Sequence, residues 1–239
     1  MPKPAALIII YSANEHYFFM KKMRKLVCIF AHPDDEAFGP GGTIAVFSKT
    51  HDVYLICATK GEAGKHKGKK VGGDLGAIRE KEMRASAKVL GAKGVFFLGF
   101  QDGDLSNNLY HEVASKIELV LRRIRPETIL TYEPRGVSGH LDHIAVSMIS
   151  SFIFERLKFI RKIMYFCRPA VTAGKRPYFI YVPPGYKKSE IDLIIDTSAV
   201  WEIKVKAMMK HRSQAHDIDR VLGRINRSAK REHFLIRTK

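Results

Sequence analysis

In Leu26-Val27-Cys28-Ile29-Phe30-Ala31-His32-Pro33-Asp34-Asp35-Glu36, an unbroken apolar run leads straight into a histidine and three carboxylates. A short apolar run that stops at a Pro reads as a strand buried on both faces. The polar cluster then sits at the strand's C-terminal end, which in an open α/β sheet is the crevice where ligands bind. A histidine and an acid at spacing i, i+3 face one point if the segment turns helically after the strand. Pro33 suits the first position of such a turn, and negative charge is favoured at a helix N-terminus. His32 and one aspartate would supply two ligands for a divalent metal, with the other aspartate left as a base. Spacing alone does not choose between Asp34 and Asp35. A solvated, acid-rich helix start explains the same cluster equally well until a second one is found.

That second cluster is Gly139-His140-Leu141-Asp142-His143. It follows another apolar run, Thr128-Ile129-Leu130-Thr131-Tyr132, across the loop 133–136. Two strand-end clusters of His and Asp supply three metal ligands and leave acid–base groups over. Three protein ligands with an open position are the pattern of a catalytic zinc, whereas structural zinc is closed by four.

Working outward, apolar runs at 53–58, 95–98, 162–167, 178–182 and 191–195 read as further strands. Between them, 43–48, 75–90 and 109–124 carry helical periodicity, with Gly91 and Pro126 as stops. Helices are also expected from His143 to about Phe159 and over 200–210. Regular alternation of strand and helix implies βαβ units. The fold class is therefore α/β, a Rossmann-like parallel sheet flanked by helices in a single domain over residues 23–239. Residues 1–22 read as an N-terminal extension without functional weight. Thr59 to Asp74 is a Gly- and Lys-rich loop at a strand end, where lids and binding elements occur. Its Lys65, Lys67, Lys69 and Lys70 are placed to attract an anionic substrate.

The 239 residues carry a net charge of +17, and residues 204–239 alone hold eleven Lys/Arg against three acids. Such a face can associate with nucleic acid or anionic membrane through counterion release. No nucleic-acid motif or aromatic-interleaved platform accompanies it, so no stable nucleic-acid partner is expected, and the tail reads as surface charge. Cys28, Cys57 and Cys167 each lie inside an apolar run, which suits buried free thiols in a reducing cytoplasm. The apolar stretch 5–11 is too short to span a membrane.

His32-Pro33-Asp34-Asp35-Glu36, Gly41-Gly42-Thr43, Thr59-Lys60-Gly61-Glu62, Arg79 with Glu82, and His140-Leu141-Asp142-His143 together resemble the LmbE/PIG-L family. Leu141 stands where many members have proline. A weaker echo occurs at His211-Arg212-Ser213-Gln214. The resemblance, covering about Val27 to His143, implies a zinc-dependent N-deacetylase acting on an N-acetylglucosaminyl compound. It implies His32, Asp35 and His143 as zinc ligands, Asp34 as general base and His140 as stabiliser of the oxyanion. It also implies Arg79 and Asp102 as substrate-binding residues. Asp142 either orients a histidine or caps a helix, Glu36 and Glu62 orient loops, and His211 has no assigned role. The competing class is a nucleic-acid-binding protein or metal-dependent phosphoesterase using the basic tail. Phosphoesterases commonly hold two metals, so one metal per chain favours deacetylation. The substrate is expected to be a small amino sugar, and a homo-oligomer is compatible with the sequence.

Overall fold

A computed structural model of the chain describes residues 7–9, 24–64, 74–170, 181–225 and 230–239. The strands are β1 (Leu7–Ile9), β2 (Arg24–Phe30), β3 (His51–Thr59), β4 (Gly94–Phe100), β5 (Thr128–Tyr132), β6 (Lys162–Cys167), β7 (Leu193–Asp196) and β8 (Arg231–Thr238). The helices are α1 (Asp35–Phe38), α2 (Gly41–Phe47), α3 (Leu75–Leu90), α4 (Tyr110–Ile124), the short α5 (Gly136–Gly139), α6 (Leu141–Arg156), α7 (Trp201–Met208) and α8 (Ala215–Ile225).

The sheet runs β1-β7-β8-β6-β5-β2-β3-β4. All pairings are parallel except those of β8, which is antiparallel to both β6 and β7. From β2 the chain advances outward through β3 to β4, then returns to place β5 on the other side of β2. Right-handed crossovers therefore put α2 and α3 on one face and α4 and α6 on the other. The reversal makes a topological switch point between β2 and β5, and both His/Asp clusters emerge from its C-terminal side. Leu26 to Phe30 are all buried, as a central parallel strand covered on both faces requires. Each such side chain contributes about 1.5–3 kcal/mol of burial.

Local chemistry sets the element ends. Asp74 accepts from Ala77 N at 3.2 Å to open α3, and Gly91 closes it at φ 84°. A Cβ at Gly91 would lie 2.6 Å from Ser48 Oγ, so glycine is needed there for space as well as conformation.

Two expectations change. The basic tail is not a solvated appendage: 215–225 form α8, and β8 lies inside the sheet between β6 and β7. Removing it would split the sheet. The carboxylate of Glu232 on β8 accepts from Gly42 N at 2.9 Å and Thr43 N at 2.7 Å, the open N–H groups of α2, and pairs with buried Lys204 at 2.6 Å. The expected strand at 178–182 is not seen at Tyr181 and Val182, which run into Pro183-Pro184 without sheet pairing, and its first three positions lie outside the described residues. Residues 7–9, inside the stretch given no weight, pair with β7 as an edge strand. The lysines expected at 65–70 lie outside the described residues.

Candidate active site

Strand β2 ends at the switch point and delivers His32, Asp34 and Asp35; β5 ends beside it and delivers Tyr132. The loop and first turn of α6 then bring His140, Asp142 and His143 onto the same spot. His32 Nδ1 lies 3.2 Å from His143 Nε2 and 3.6 Å from Asp35 Oδ2, and Asp35 Oδ1 lies 3.3 Å from His143 Nε2. On the other side of the ring, His32 Nε2 lies 3.0 Å from Asp142 Oδ2 and 2.9 Å from Asp102 Oδ1.

Two metal-competent groups therefore share one imidazole. They are His32, Asp35 and His143, and His32, Asp102, His140 and Asp142, with ligand atoms within 4.8 Å of one another in each. A neutral imidazole has one N–H and one lone pair. If Nε2–H is donated to Asp142 and Asp102, a cation that displaces the Nδ1 proton would find that lone pair aimed at Asp35 and His143, which favours the first group. Two imidazoles and a carboxylate form a donor set that suits zinc and leaves coordination positions open.

The electrostatics mark the same residues as strongly interacting. Burial opposes ionisation of Asp35, but His143, His32 and a hydrogen bond from Tyr132 outweigh it and hold the carboxyl well below its usual range. Burial, with His32 and His140 close by, pulls His143 down to about 4 in spite of Asp35. Burial also opposes charge on His32, yet Asp102, Asp142 and Asp35 together raise it well above its ordinary value. Three carboxylates around one ring make a negative pocket, which a bound cation would neutralise.

Asp34 belongs to neither of the two metal-competent groups. It is held by Arg79, whose guanidinium donates to Asp34 Oδ2 at 3.1 Å, Pro33 O at 2.6 Å and Gly61 O at 2.7 Å. Burial, partly offset by Arg79, pushes the Asp34 carboxyl up to about 7. Gly61 sits at φ 69°, and a Cβ there would come within 2.5 Å of that guanidinium. Arg79 is 4% exposed and its charge faces Asp34; the neighbouring Glu80 pairs with Lys60 and Arg84, and Glu82 with Ser213. His140 caps α6, its Nδ1 accepting from Asp142 N at 3.1 Å. Asp142 in turn accepts from Gly103 N and Leu105 N, tying the loop after β4 to the site. Glu62 accepts from Asp102 N at 2.9 Å, and Glu36 from Asp34 N at 3.0 Å.

Tyr132 and Glu133 are additions that sequence reasoning missed. Tyr132 OH accepts from Ala31 N at 2.9 Å and donates to Asp35 Oδ2. Glu133 accepts from Val137 N, Arg135 N and Tyr186 OH, fixing the loop that precedes His140. The available signal was their place at the C-terminal end of β5, beside β2. A separate cavity of about 400 Å³ opens at the opposite, N-terminal edge of the sheet beside Arg24, His51, Arg161 and Lys162. None of the clustered His/Asp groups lines it.

The family described as PIG-L, GlcNAc-PI de-N-acetylase, matches residues 27–153, from the first buried strand through the second cluster. The chain belongs to this family. As a PIG-L family member it is 32% identical, over 80% of its length and 70% of the relative's, to a diacetylchitobiose deacetylase of Thermococcus kodakarensis. Among solved structures, the N,N'-diacetylchitobiose deacetylase of Pyrococcus horikoshii superposes with a TM-score of 0.68 at 26% identity, covering 90% of this chain and 84% of that one. The 4-carboxy-2-hydroxymuconate hydratase GalB of Pseudomonas putida also reaches 0.68, at 19% identity, over 91% of this chain and 97% of its own. That likeness concerns the fold alone, so in this PIG-L protein the side chains of the site must decide the reaction.

Proposed function

We propose that the protein is a zinc-dependent deacetylase that hydrolyses the acetamide of an N-acetylglucosamine-type sugar or sugar conjugate. The observation that carries this reading is the convergence of His32, Asp35 and His143 within 4.8 Å, next to an unligated carboxylate, Asp34, in a PIG-L family chain. Zinc held by those three residues would supply a water acidified towards a pKa of about 7 and a Lewis acid for the acetyl carbonyl.

The remaining work belongs to the protein's own groups. Asp34, fixed by Arg79, accepts the proton of the attacking water and returns it to the departing amine. His140 accepts from Asp142 N through Nδ1, so the neutral ring carries its proton on Nε2 and donates to the developing oxyanion. Asp142 sets the tautomer and orientation of His32 through Nε2. Asp102, partly exposed, offers its second carboxylate oxygen to a sugar hydroxyl. Arg79, committed to Asp34, places the base against the sugar's acetamide.

The similarity to diacetylchitobiose deacetylases supports a small oligosaccharide or glycoconjugate substrate. The unpaired, buried cysteines support a cytoplasmic setting, and among the described residues no helix is long and apolar enough to cross a membrane. The phosphoesterase alternative has no support in these relatives, and the tail it relied on is built into the sheet. The test is amine release from a panel of N-acetylglucosamine derivatives, N,N'-diacetylchitobiose included, with and without chelator. Absence of chelator-sensitive amine release from every member would overturn the reading.

A further inference from the structure

Asp34 occupies φ 110°, ψ −26°, a left-handed conformation that a non-glycine residue adopts at a cost of about 1–3 kcal/mol and keeps only where its surroundings over-determine it. Its carbonyl accepts from Ala37 N at 3.0 Å and Phe38 N at 2.8 Å, while its own N–H donates to Glu36 Oε2 at 3.0 Å. That last bond is only as firm as Glu36. Its carboxylate is completely buried, and its other oxygen accepts from Ser86 Oγ at 2.6 Å and His211 Nε2 at 2.7 Å. His211 is itself fully buried, and its Nδ1 has no hydrogen-bond partner among the described residues, so the ring's polar interaction is with Glu36.

The segment that carries His211 is clamped in turn. Ser213 N and Oγ donate to Glu82 at 2.8 and 2.6 Å. Arg79, Glu82 and Ser86 are spaced i, i+3, i+7 on α3 and so share one face. This face grips Asp34 directly through Arg79, Glu36 through Ser86, and the His211 segment through Glu82.

We infer that His211, acting through Glu36, is a positioning residue that holds Asp34 in the backbone conformation from which its carboxylate works. The inference rests on the deacetylase reading for its kinetic consequence, but not for its structural one. With His211 removed, Glu36 loses one of the two donors that fix its far oxygen. The Glu36–Asp34 bond then no longer outweighs the strain, and Asp34 relaxes. A displacement of about 1 Å at a catalytic group is enough to cost roughly 100-fold in rate.

The experiment compares native, His211→Leu, His211→Gln and Ser86→Ala proteins, each loaded with zinc and assayed on N,N'-diacetylchitobiose, with metal analysis and a crystal structure of His211→Leu. In His211→Leu the expected result is a fall in kcat of about 10–100-fold, with KM within about twofold and zinc content unchanged. In the same variant's crystal structure Asp34 leaves positive φ. His211→Gln, whose amide N–H can still donate to Glu36, restores kcat to within about threefold of native. If His211→Leu fails to fold, Ser86→Ala removes the other donor from the same oxygen and is expected to lower kcat roughly 3–10-fold. Unchanged kcat in either folded variant overturns the inference. So does Asp34 remaining near φ 110° with His211 gone, or a joint loss of zinc, melting temperature and kcat that His211→Gln does not restore. If the native protein releases no amine from any member of the N-acetylglucosamine panel, the deacetylase reading falls, and the φ of Asp34 in His211→Leu still decides the positioning role.

Discussion

At the residue scale the two adjacent aspartates have different surroundings, and the proposed mechanism gives them different work. Asp35 faces His32 and His143, which hold it ionised, whereas Asp34 faces Arg79, which only partly offsets the effect of burial. Asp35→Ala is therefore expected to lower zinc affinity sharply. Asp34→Asn is expected to keep zinc while turnover drops about 10²–10⁴-fold, the contribution of a positioned base. Zinc content and kcat measured on both variants check this, and a metal-poor Asp34→Asn protein would swap the roles. His211 yields a second expectation, on stability. Burial lowers its pKa, but Glu36 outweighs burial and raises it above 6.5. The charged pair is thus fully formed below about pH 6.5 and is lost as pH rises through the raised folded value. His211→Gln keeps a neutral hydrogen bond and loses the charge. Its melting temperature should lie about 2–4 °C below native at pH 6, for roughly 1 kcal/mol, and the gap should close at alkaline pH.

At the element scale, legibility followed burial. Strands β2, β3, β5 and β6 are apolar runs between breakers, and the sequence alone places the first His/Asp cluster at a strand end. The side chains of β8 are Arg231, Glu232, His233, Phe234, Leu235, Ile236, Arg237 and Thr238, whose charges mask a strand. Glu232 looks like a surface residue until α2 is known to need an acceptor at its N-terminus and Lys204 a partner. Asp142 is legible as a residue that orients a histidine or caps a helix, but its bonds from Gly103 and Leu105, and those of Glu36 with Ser86 and His211, are not, because they depend on segments that meet only in three dimensions. Glu232→Ala should reveal what β8 contributes. It strands a Lys204 that is 4% exposed and uncaps α2, so the loss should be about 3–5 kcal/mol, read as a lower urea midpoint at unchanged slope. Adding Lys204→Met should recover much of that loss, since the unpaired charge is then gone. A loss below about 1 kcal/mol in the single variant would show that the pair and the cap contribute little.

At the scale of the whole molecule, a chain with net charge +17 concentrates three carboxylates around His32 at the switch point of its sheet. Folding brings those charges together, so a cation bound there stabilises the folded state and not the unfolded one. At free zinc about 1,000 times its Kd the stabilisation is about 4 kcal/mol. For a domain of this size that corresponds to roughly 8–16 °C in melting temperature. Chelation should therefore lower the melting temperature by about that amount and abolish amine release together. Adding zinc back to one equivalent per chain should restore both. Magnesium should restore neither, because a two-imidazole, one-carboxylate set disfavours a cation that prefers oxygen ligands. The measurement is a thermal melt and an amine-release assay on the same sample across a zinc titration. A melting curve indifferent to chelator, beside intact activity, would remove the metal from this site.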